Sequence, residues 1–213
     1  MSPEPTIQIV DDDESFLTAI SRLLRASGFA VTTFSSASEL LAACDADVPG
    51  CVLADLQMPG MNGLDLQAAL ARSRNPLPIL FLTGHGDIPS SVRAMREGAV
   101  DFLEKRAPKE HLLDALKRAL ARDARDRAER AHLRELRTRF DTLTARELEV
   151  LSHVVRGRLN KQIAAELGTV EKTIKVHRAR VMQKLHANSL IQLVEIANLA
   201  GLKGERGHEE MRV

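Results

Sequence analysis

Five side chains suited to phosphate and metal chemistry lie at the ends of apolar stretches of the chain. Asp11 and Asp12 come directly after "IQIV", and Asp55 comes directly after "CVLA". Thr83 ends a third apolar stretch, and Lys105 follows a fourth. Carboxylates held close together resist ionisation unless a cation lies between them, and an all-oxygen set with few protein ligands suits Mg²⁺. With an ammonium and a hydroxyl group beside them, these carboxylates would form a site for a phosphoryl group.

These side chains can meet only if the apolar stretches are strands of one sheet. In the first half of the chain, short apolar runs alternate with amphipathic stretches, which predicts five β–α units. The predicted strands are 7–10, 30–34, 51–54, 79–83 and 102–104, and the predicted helices lie near 14–27, 37–43, 64–73, 89–97 and 109–122. This order predicts an α/β doubly wound fold, in which a five-stranded parallel sheet has helices on both faces and its site at the carboxyl ends of the strands. Asp13 and Glu14, which follow the acidic pair, suit the start of the first helix.

Charge is divided unevenly between the two halves of the chain. Residues 1–121 carry 11 Lys and Arg against 16 Asp and Glu, whereas residues 122–213 carry 19 against 13. An acidic half suits a cation or an enclosed phosphate, and a basic half suits nucleic acid, although a solvated surface tolerates either imbalance. The hydrophobic content of 44% is typical of a globular protein, and no apolar run is long enough for a membrane helix. We therefore expect a cytoplasmic protein with no membrane partner, in which Cys44 and Cys51 are structural free thiols.

A segment without Gly or Pro connects the two halves. Residues 116–140 are rich in Ala, Arg, Leu and Glu, which predicts a helix that continues the fifth helix of the first half. Oppositely charged side chains four residues apart favour this helix: Asp123 with Arg127, Asp126 with Arg130, and Glu135 with Arg139. We therefore predict a phosphate-binding domain at 1–121, a helical linker at 122–140, a small all-α domain at 141–201 and a mobile tail at 202–213.

The last domain has the spacing of four helices. Thr144 with Glu147 and Ser189 with Gln192 fit capping boxes, and Asn160 is placed to cap a short helix. The predicted buried faces are Leu148, Val150, Leu151, Val154 and Val155 on the first helix, Ile174, Val181 and Leu185 on the third, and Leu190, Leu193, Val194, Ile196 and Ala197 on the fourth. A helix, a turn and a second, basic helix form the arrangement that enters a DNA major groove.

The first half resembles a response-regulator receiver domain of the FixJ/StyR-like group. "VDDD" at 10–13, "LADLQMPGMNG" at 53–63, "FLTGHGD" at 81–87 and "DFLEK" at 101–105 match the family's acidic pair, phosphoacceptor loop, switch threonine and lysine. The resemblance implies that a sensor histidine kinase phosphorylates Asp55. It also implies that Mg²⁺, or Mn²⁺ in its place, is bound by Asp11, Asp12, Asp55 and the backbone carbonyl of Gln57.

The same resemblance implies a switch. Lys105 would contact the phosphoryl group, Thr83 would turn toward it, and Phe102 would follow, although simple core packing also explains Phe102. Arg106 stands where the family commonly has proline after its lysine, so either a cis peptide is kept or the loop is rebuilt with a trans peptide. His85 and Gln57 either tune the attack of water on the phosphoryl group or are incidental.

The second half resembles LuxR/NarL-type DNA-binding domains. The likeness lies in "LTARELEVL", "NKQIAAELG" and "KTIKVHRARVMQKL". It implies that Lys175 and Val176 face bases. The predicted DNA contacts are Lys161, Lys172, Thr173, Lys175, Val176, His177, Arg178, Arg180 and Lys184. Two positions depart from the family pattern, because Val170 replaces a common capping serine and Ala179 replaces a residue that is often polar.

Together the two resemblances predict a two-component transcription factor rather than an enzyme. Phosphorylation would promote homodimerisation and binding to paired half-sites in promoter DNA, with activation of transcription favoured over repression. RNA polymerase is a further candidate partner. Two alternatives stay open at this point: a Mg²⁺-dependent phosphatase, which can use the same side chains, and a receiver that responds without phosphate.

Overall fold

Contacts between residues divide the chain into two units, Met1–Ala128 and Glu129–Val213. The computed structural model describes residues 4–43, 48–73, 76–84 and 88–201. Cys44, His85 and the tail predicted at 202–213 lie outside the described residues. Within the described ranges, no helix is long and apolar enough to cross a membrane.

Strands and helices alternate along the first unit, as the sequence predicted. The elements are β1 (Thr6–Val10), α1 (Glu14–Ala26), β2 (Ala30–Phe34), α2 (Ala37–Ala43), β3 (Gly50–Ala54), α3 (Gly63–Ala71), β4 (Ile79–Thr83), α4 (Ile88–Arg96), β5 (Asp101–Glu104) and α5 (Lys109–Asp141). The strands form one parallel sheet in the order β2-β1-β3-β4-β5. The prediction of a five-stranded parallel α/β sheet is therefore confirmed.

Two hydrophobic cores lie on opposite faces of this sheet. One core contains Ile7, Ile9 and Leu53 of the strands with Leu24 of α1 and Leu116 of α5. The other core contains Val10, Val52 and Phe81 of the strands, packed with side chains of α2, α3 and α4. Neighbouring residues of a strand point to opposite faces, so both cores draw on the same strands. The polar residues that follow the strands lie beyond these cores, at the carboxyl edge of the sheet.

Helix α5 contributes to both units. Asp123 is buried, and its Oδ2 accepts hydrogen bonds from the backbone N–H of Gly50 at 2.8 Å and from Nε of Arg127 at 2.8 Å. Arg127 also donates to the carbonyl of Val48 at 2.6 Å. Further along the helix, Leu136 is buried in the core of the second unit. Residues on either side of the division at 128 therefore pack on different units, and the linker bounds of 122 and 140 stay a prediction.

Two of the three ion pairs predicted along this helix are present. Asp123 pairs with Arg127, and Glu135 pairs with Arg139 at 2.6 Å. The pair predicted between Asp126 and Arg130 is wrong. The Asp126 carboxylate instead lies 3.7 Å from Arg122, one turn earlier, and 3.8 Å from Arg125. Residues four apart in both directions were available as partners, and charge spacing alone does not choose between them.

The second unit contains four further helices: α6 (Ala145–Val155), α7 (Asn160–Glu166), α8 (Glu171–Lys184) and α9 (Leu190–Leu199). The capping box at Thr144 is confirmed, because its Oγ1 accepts from the Glu147 N–H and Glu147 Oε2 accepts from the Thr144 N–H. Ser189 caps α9 by accepting from the Gln192 N–H. The Gln192 side chain, however, accepts from Asn188 instead of completing the box.

Some details predicted for this unit are wrong. Asn160 is the first residue of α7 rather than its cap, and the N–H of Leu159 before it donates to the Gln162 side chain at 2.9 Å. Leu148 and Leu190 are 42% and 46% exposed. The burial predicted for Ile174, Val181 and Leu185 is confirmed. An apolar residue is buried only where another helix covers it, and periodicity alone does not say how wide the covered face is.

Candidate phosphoacceptor site and nucleic-acid interface

Backbone hydrogen bonds continue from the strands into the loops that carry the site. The N–H of Asp11 donates to the last residue of β2 at 3.3 Å, and the N–H of Asp55 donates to the last residue of β1 at 2.9 Å. The N–H of Lys105 donates to the carbonyl of Thr83 at 2.8 Å. Thr83 itself ends β4 and is buried. The sheet therefore fixes the backbone of these residues at one edge.

Three carboxylates converge at this edge. Asp11, Asp12 and Asp55 each present an oxygen, and these oxygens lie within 4.8 Å of one another. Asp11 and Asp55 are buried, whereas Asp12 is exposed. Carboxylate oxygens suit a hard divalent cation, and an exposed ligand is compatible with the waters that Mg²⁺ retains. The residues at the site therefore fit a divalent metal ion.

The ammonium of Lys105 bridges two of these carboxylates. Its Nζ lies 2.6 Å from Oδ2 of Asp11 and 3.0 Å from Oδ2 of Asp55. Burial lowers the pKa of Lys105, but its hydrogen bonds to Asp11 and Asp55 outweigh burial, so that the pKa lies above its ordinary value. Burial raises the pKa of Asp11, and the hydrogen bond from Lys105 offsets only part of that rise. The lysine therefore keeps its charge and partly neutralises the carboxylates.

An aromatic ring on α1 contacts the same ammonium. The ring centre of Phe16 lies 4.3 Å from Nζ of Lys105, within the range of a cation–π interaction. The prediction from the sequence missed Phe16, because nothing in the spacing of residues 16 and 105 indicates that they meet.

Asp13 connects Asp11 to the start of α1. Oδ1 of Asp11 accepts from the N–H of Asp13 at 3.0 Å. Oδ1 of Asp13 in turn accepts from the N–H groups of Ser15 and Phe16 at 2.9 and 3.0 Å, which makes Asp13 the N-cap of α1. Asp13 was placed at the helix start from the sequence, and this placement is confirmed.

A glycine allows the loop after β3 to close beside the phosphoacceptor candidate. Oδ1 of Asp55 accepts from the N–H of Leu56 at 2.6 Å, and the N–H of Gly63 donates to the carbonyl of Leu56 at 2.9 Å. A Cβ atom on Gly63 would lie 2.5 Å from the backbone oxygen of Asp55. Gly63 ends the motif at 53–63, and its residue type alone did not predict this close approach. The exposed Gln57 lies in this loop, and metal binding by its carbonyl stays a prediction.

The switch candidates lie beside the site. Phe102 packs against Phe81 with ring centres 6.0 Å apart, and Phe102 is partly buried in the adjoining core. Lys105 and Arg106 form a tight turn, which closes with a 2.8 Å hydrogen bond from the N–H of Ala107 to the carbonyl of Glu104. There is no cis peptide bond among the residues that the structure describes, so the Lys105–Arg106 bond is trans. Of the two loop conformations left open by the sequence, the structure has the rebuilt trans loop.

Helix α8 carries most of the predicted DNA contacts. Lys161 of α7 is exposed, as are Lys172, Lys175, Val176 and Arg180 of α8, whereas Thr173 and His177 are partly buried. The N-cap of α8 is Val170, which offers no side-chain hydrogen bond to the helix, as its residue type predicts. The exposed residues give α8 a basic outer face with an apolar position at Val176.

Two other predicted DNA contacts bind within the unit. Nη1 of Arg178 donates to Oδ1 of Asn160 at 2.7 Å. Nζ of Lys184 donates to Oε2 of Glu147 at 2.6 Å and to the carbonyl of Thr142 at 2.9 Å. The Lys184 hydrogen bond, with the capping hydrogen bonds, lowers the pKa of the buried Glu147 to about 2. The capping-box spacing located Glu147, but it gave no sign of the lysine 37 residues later.

The first unit has a parallel sheet with charged residues at its edge, and the second has a helix-turn-helix. This architecture is that of a regulator that receives a signal in one domain and binds DNA with another. Residues 7–117 match the response regulator receiver domain, and residues 141–197 match the luxR family of bacterial regulatory proteins. The chain belongs to the response regulators that carry a LuxR-type DNA-binding domain.

Relatives match the chain along most of their length. The chain is 42% identical over 201 residues to Nodulation protein W of Bradyrhizobium diazoefficiens, covering 94% of this chain and 88% of that protein. It is 38% identical to the transcriptional regulatory protein FixJ of the same organism, covering 95% of this chain and 98% of that protein. The solved structure of the response regulator StyR matches with a TM-score of 0.82 and 45% identity, covering 92% of this chain and 98% of that one. The chain is therefore a DNA-binding transcriptional regulator of a two-component system.

Proposed function

We propose that Asp55 accepts a phosphoryl group from a sensor histidine kinase and that this modification controls DNA binding. One observation carries the proposal: Lys105 bridges Asp55 and Asp11, with an oxygen of Asp12 within 4.8 Å of both carboxylates. This arrangement concentrates negative charge around one acceptor and supplies a cation to offset it. Transfer of a phosphoryl group depends on such positioning and charge neutralisation more than on covalent help from the protein.

In the proposed reaction, the bond between phosphorus and a histidine nitrogen of the kinase breaks as a bond to a carboxylate oxygen of Asp55 forms. Asp11, Asp12 and the carbonyl of Gln57 would hold Mg²⁺, or Mn²⁺, together with Asp55. The metal ion would supply positive charge for the phosphoryl oxygens. Lys105 would move from its carboxylate partners to a phosphoryl oxygen. Water would later cleave the aspartyl phosphate, so that the receiver returns to its unmodified state.

The switch would run from the buried hydroxyl of Thr83 to the outer surface of α4 and β5. Phosphorylation adds about −1.5 to −2 charge and strong acceptor oxygens, toward which Thr83 would turn. Phe102 lies in the strand next to Thr83 and lines a surface groove with Ile88, Val92 and Met95. These three apolar side chains of α4 are 79%, 43% and 46% exposed. A surface of this kind would support homodimerisation when Phe102 repacks.

The dimer would present two copies of α8 to paired half-sites in promoter DNA. A lysine such as Lys175 can donate to the acceptors of guanine in the major groove, and an apolar side chain such as Val176 can contact the thymine methyl group. Lys161, Lys172 and Arg180 would contact phosphates, with Thr173 and His177 near the groove. Activation of transcription, contact with RNA polymerase and a cytoplasmic location belong to the same proposal.

Incubation of the full chain with acetyl phosphate and Mg²⁺ tests the proposal. We expect one acid-labile phosphate on the peptide that contains Asp55, together with a shift to dimer and tighter binding to promoter DNA at a stated salt concentration. Asp55→Asn should lose all three effects. Asp114→Asn, which changes an exposed carboxylate of α5, is the matched control and should retain them.

The same experiment separates the alternatives. Equally tight DNA binding by Asp55→Asn and by the phosphorylated wild type would contradict phosphorylation control and favour a receiver that responds without phosphate. Repeated turnover of a small phosphoester would instead favour a phosphatase. Loss of phosphorylation on chelation of divalent ions, with recovery on addition of Mg²⁺, is expected from the carboxylate site.

A further inference from the structure

The position of Arg178 on α8 separates it from the exposed basic residues. Ile174, Val181 and Leu185 are buried, and Arg178 falls four residues after the first of them and three before the second, on the same side of the helix. Its side chain is partly buried. Residues 172, 175, 176, 179 and 180 are exposed. Arg178 therefore begins on the side of α8 that packs against the rest of the unit.

The guanidinium of Arg178 is already engaged at the start of α7. Nη1 donates to Oδ1 of Asn160 at 2.7 Å, and Asn160 is the first residue of α7. Asn160 does not use its side chain to cap that helix, because the N–H groups of Gln162 and Ile163 donate instead to the carbonyl of Leu159. The hydrogen bond thus joins the beginning of α7 to the middle of α8. A planar guanidinium fixes direction as well as distance, which suits it to hold two helices in one geometry.

We infer that Arg178 is a positioning residue for DNA recognition: through Asn160 it sets the placement of α7 against α8 and does not neutralise a DNA phosphate. This inference rests on DNA binding through α7 and α8. It replaces the direct contact predicted from the sequence for Arg178. The placement of α7 matters because the first helix of such a pair crosses the DNA backbone while the second lies in the groove.

Salt dependence and sequence preference distinguish a positioning residue from a phosphate contact. Loss of one phosphate contact weakens binding to all sequences alike and reduces the slope of log K against log salt by about 0.9. Loss of a positioning contact instead weakens binding to the preferred sequence more than binding to a mixed sequence, and it leaves the slope unchanged. The two roles therefore predict different results from the same titration.

The test uses the full chain, a duplex that the wild type selects from a random DNA pool, and a mixed-sequence duplex of equal length. We expect Arg178→Met to weaken binding to the selected duplex on the order of tenfold, with little change for the mixed duplex and no change in salt slope. Asn160→Ala removes no cation but should reproduce this loss, and the double variant should lose no more than either single one. Arg180→Met, at an exposed position of the same helix, is the control that should reduce the slope.

A different pattern would overturn the inference. If Arg178→Met lowered the salt slope by about 0.9 while Asn160→Ala bound as the wild type, Arg178 would be a phosphate contact. If either variant lost its helical circular dichroism, the sequence preference of Asn160→Asp would be measured instead. This variant keeps an acceptor for the guanidinium. Retention of sequence preference by Asn160→Asp supports positioning, and its loss contradicts it. If the wild type selected no sequence from the random pool and did not bind the mixed-sequence duplex, DNA binding itself would be refuted, and the inference with it.

Discussion

Replacement of Lys184 by methionine would leave a buried carboxylate without its cation. Glu147 is 2% exposed, and its Oε2 accepts from Nζ of Lys184 at 2.6 Å and from the N–H of Thr144 at 2.9 Å. Breaking a fully buried ion pair by removing one partner costs about 3–5 kcal/mol, and a hydrogen bond to a charged group contributes about 1.5–3 kcal/mol. Because the Lys184 side chain is 32% exposed, we expect Lys184→Met to lower the free energy of unfolding of the second unit by about 2 kcal/mol.

The loss of stability caused by Lys184→Met should be smaller at low pH. The hydrogen bond from Lys184 is the largest cause that lowers the pKa of Glu147 from 4.5 to about 2. A carboxyl group whose pKa is lower in the folded state stabilises the fold above its unfolded pKa, and this stabilisation is lost as pH falls through the folded pKa. The difference in stability between the wild type and Lys184→Met should therefore be full above pH 4.5 and shrink as pH falls toward 2.

Calorimetry of the full chain at a series of pH values measures this difference. For a unit of this size, about 2 kcal/mol corresponds to a decrease in Tm on the order of 10 °C. Lys175→Met is the matched control, because Lys175 pairs with Glu171 at 3.2 Å on an exposed surface and should contribute well under 1 kcal/mol. Glu147→Gln combined with Lys184→Met should recover part of the loss, since no unpaired charge stays buried. If Lys184→Met unfolded like the wild type but bound DNA more weakly and with a smaller salt slope, the structural role would be refuted. Lys184 would then be the DNA contact that the sequence predicted.

Three further predictions concern the receiver domain. Gly63→Ala should destabilise it by about 1–3 kcal/mol in urea unfolding, because the added Cβ would lie 2.5 Å from a backbone oxygen. Gly84→Ala is the control, since a Cβ atom there would have no atom within 4 Å. Equal effects of the two substitutions would contradict the steric argument. Burial raises the pKa of the Cys51 thiol to about 12, so iodoacetamide at neutral pH should modify it only after unfolding. Rapid labelling of the native chain on the peptide that contains Cys51, counted separately from Cys44, would contradict its burial. Phe16→Leu should slow phosphorylation by acetyl phosphate roughly twofold to fivefold through loss of the contact with Lys105, and Phe16→Tyr, which keeps a ring, should retain the rate. Equal rates for all three proteins would remove any role for the ring.

The sequence was most informative where one local rule decides position. Asp11, Asp55 and Lys105 each follow a strand, and parallel strands end at one edge, so their convergence could be predicted without knowledge of any contact. Thr144 and Asp13 were placed correctly for a similar reason, since helix starts depend on residues three or fewer apart.

The sequence was least informative where a side chain had several partners within reach. The ion pair predicted for Asp126 formed with a different arginine, and the basic character of α8 did not distinguish outward cations from those bound within the unit. Phe16 gave no signal for its contact with Lys105, because the two residues belong to elements far apart in the chain.

The sequence by itself determined the two domain types, the order of their elements and the residues that gather at the carboxyl edge of the sheet. Only the tertiary structure decided that the peptide bond after Lys105 is trans, that the Lys105 ammonium lies over Phe16, and that Arg178 and Lys184 bind Asn160 and Glu147. The reason is physical. Strand and helix periodicity is set by neighbours along the chain, whereas the partner of a long charged side chain is set by which groups packing brings within about 3 Å of it.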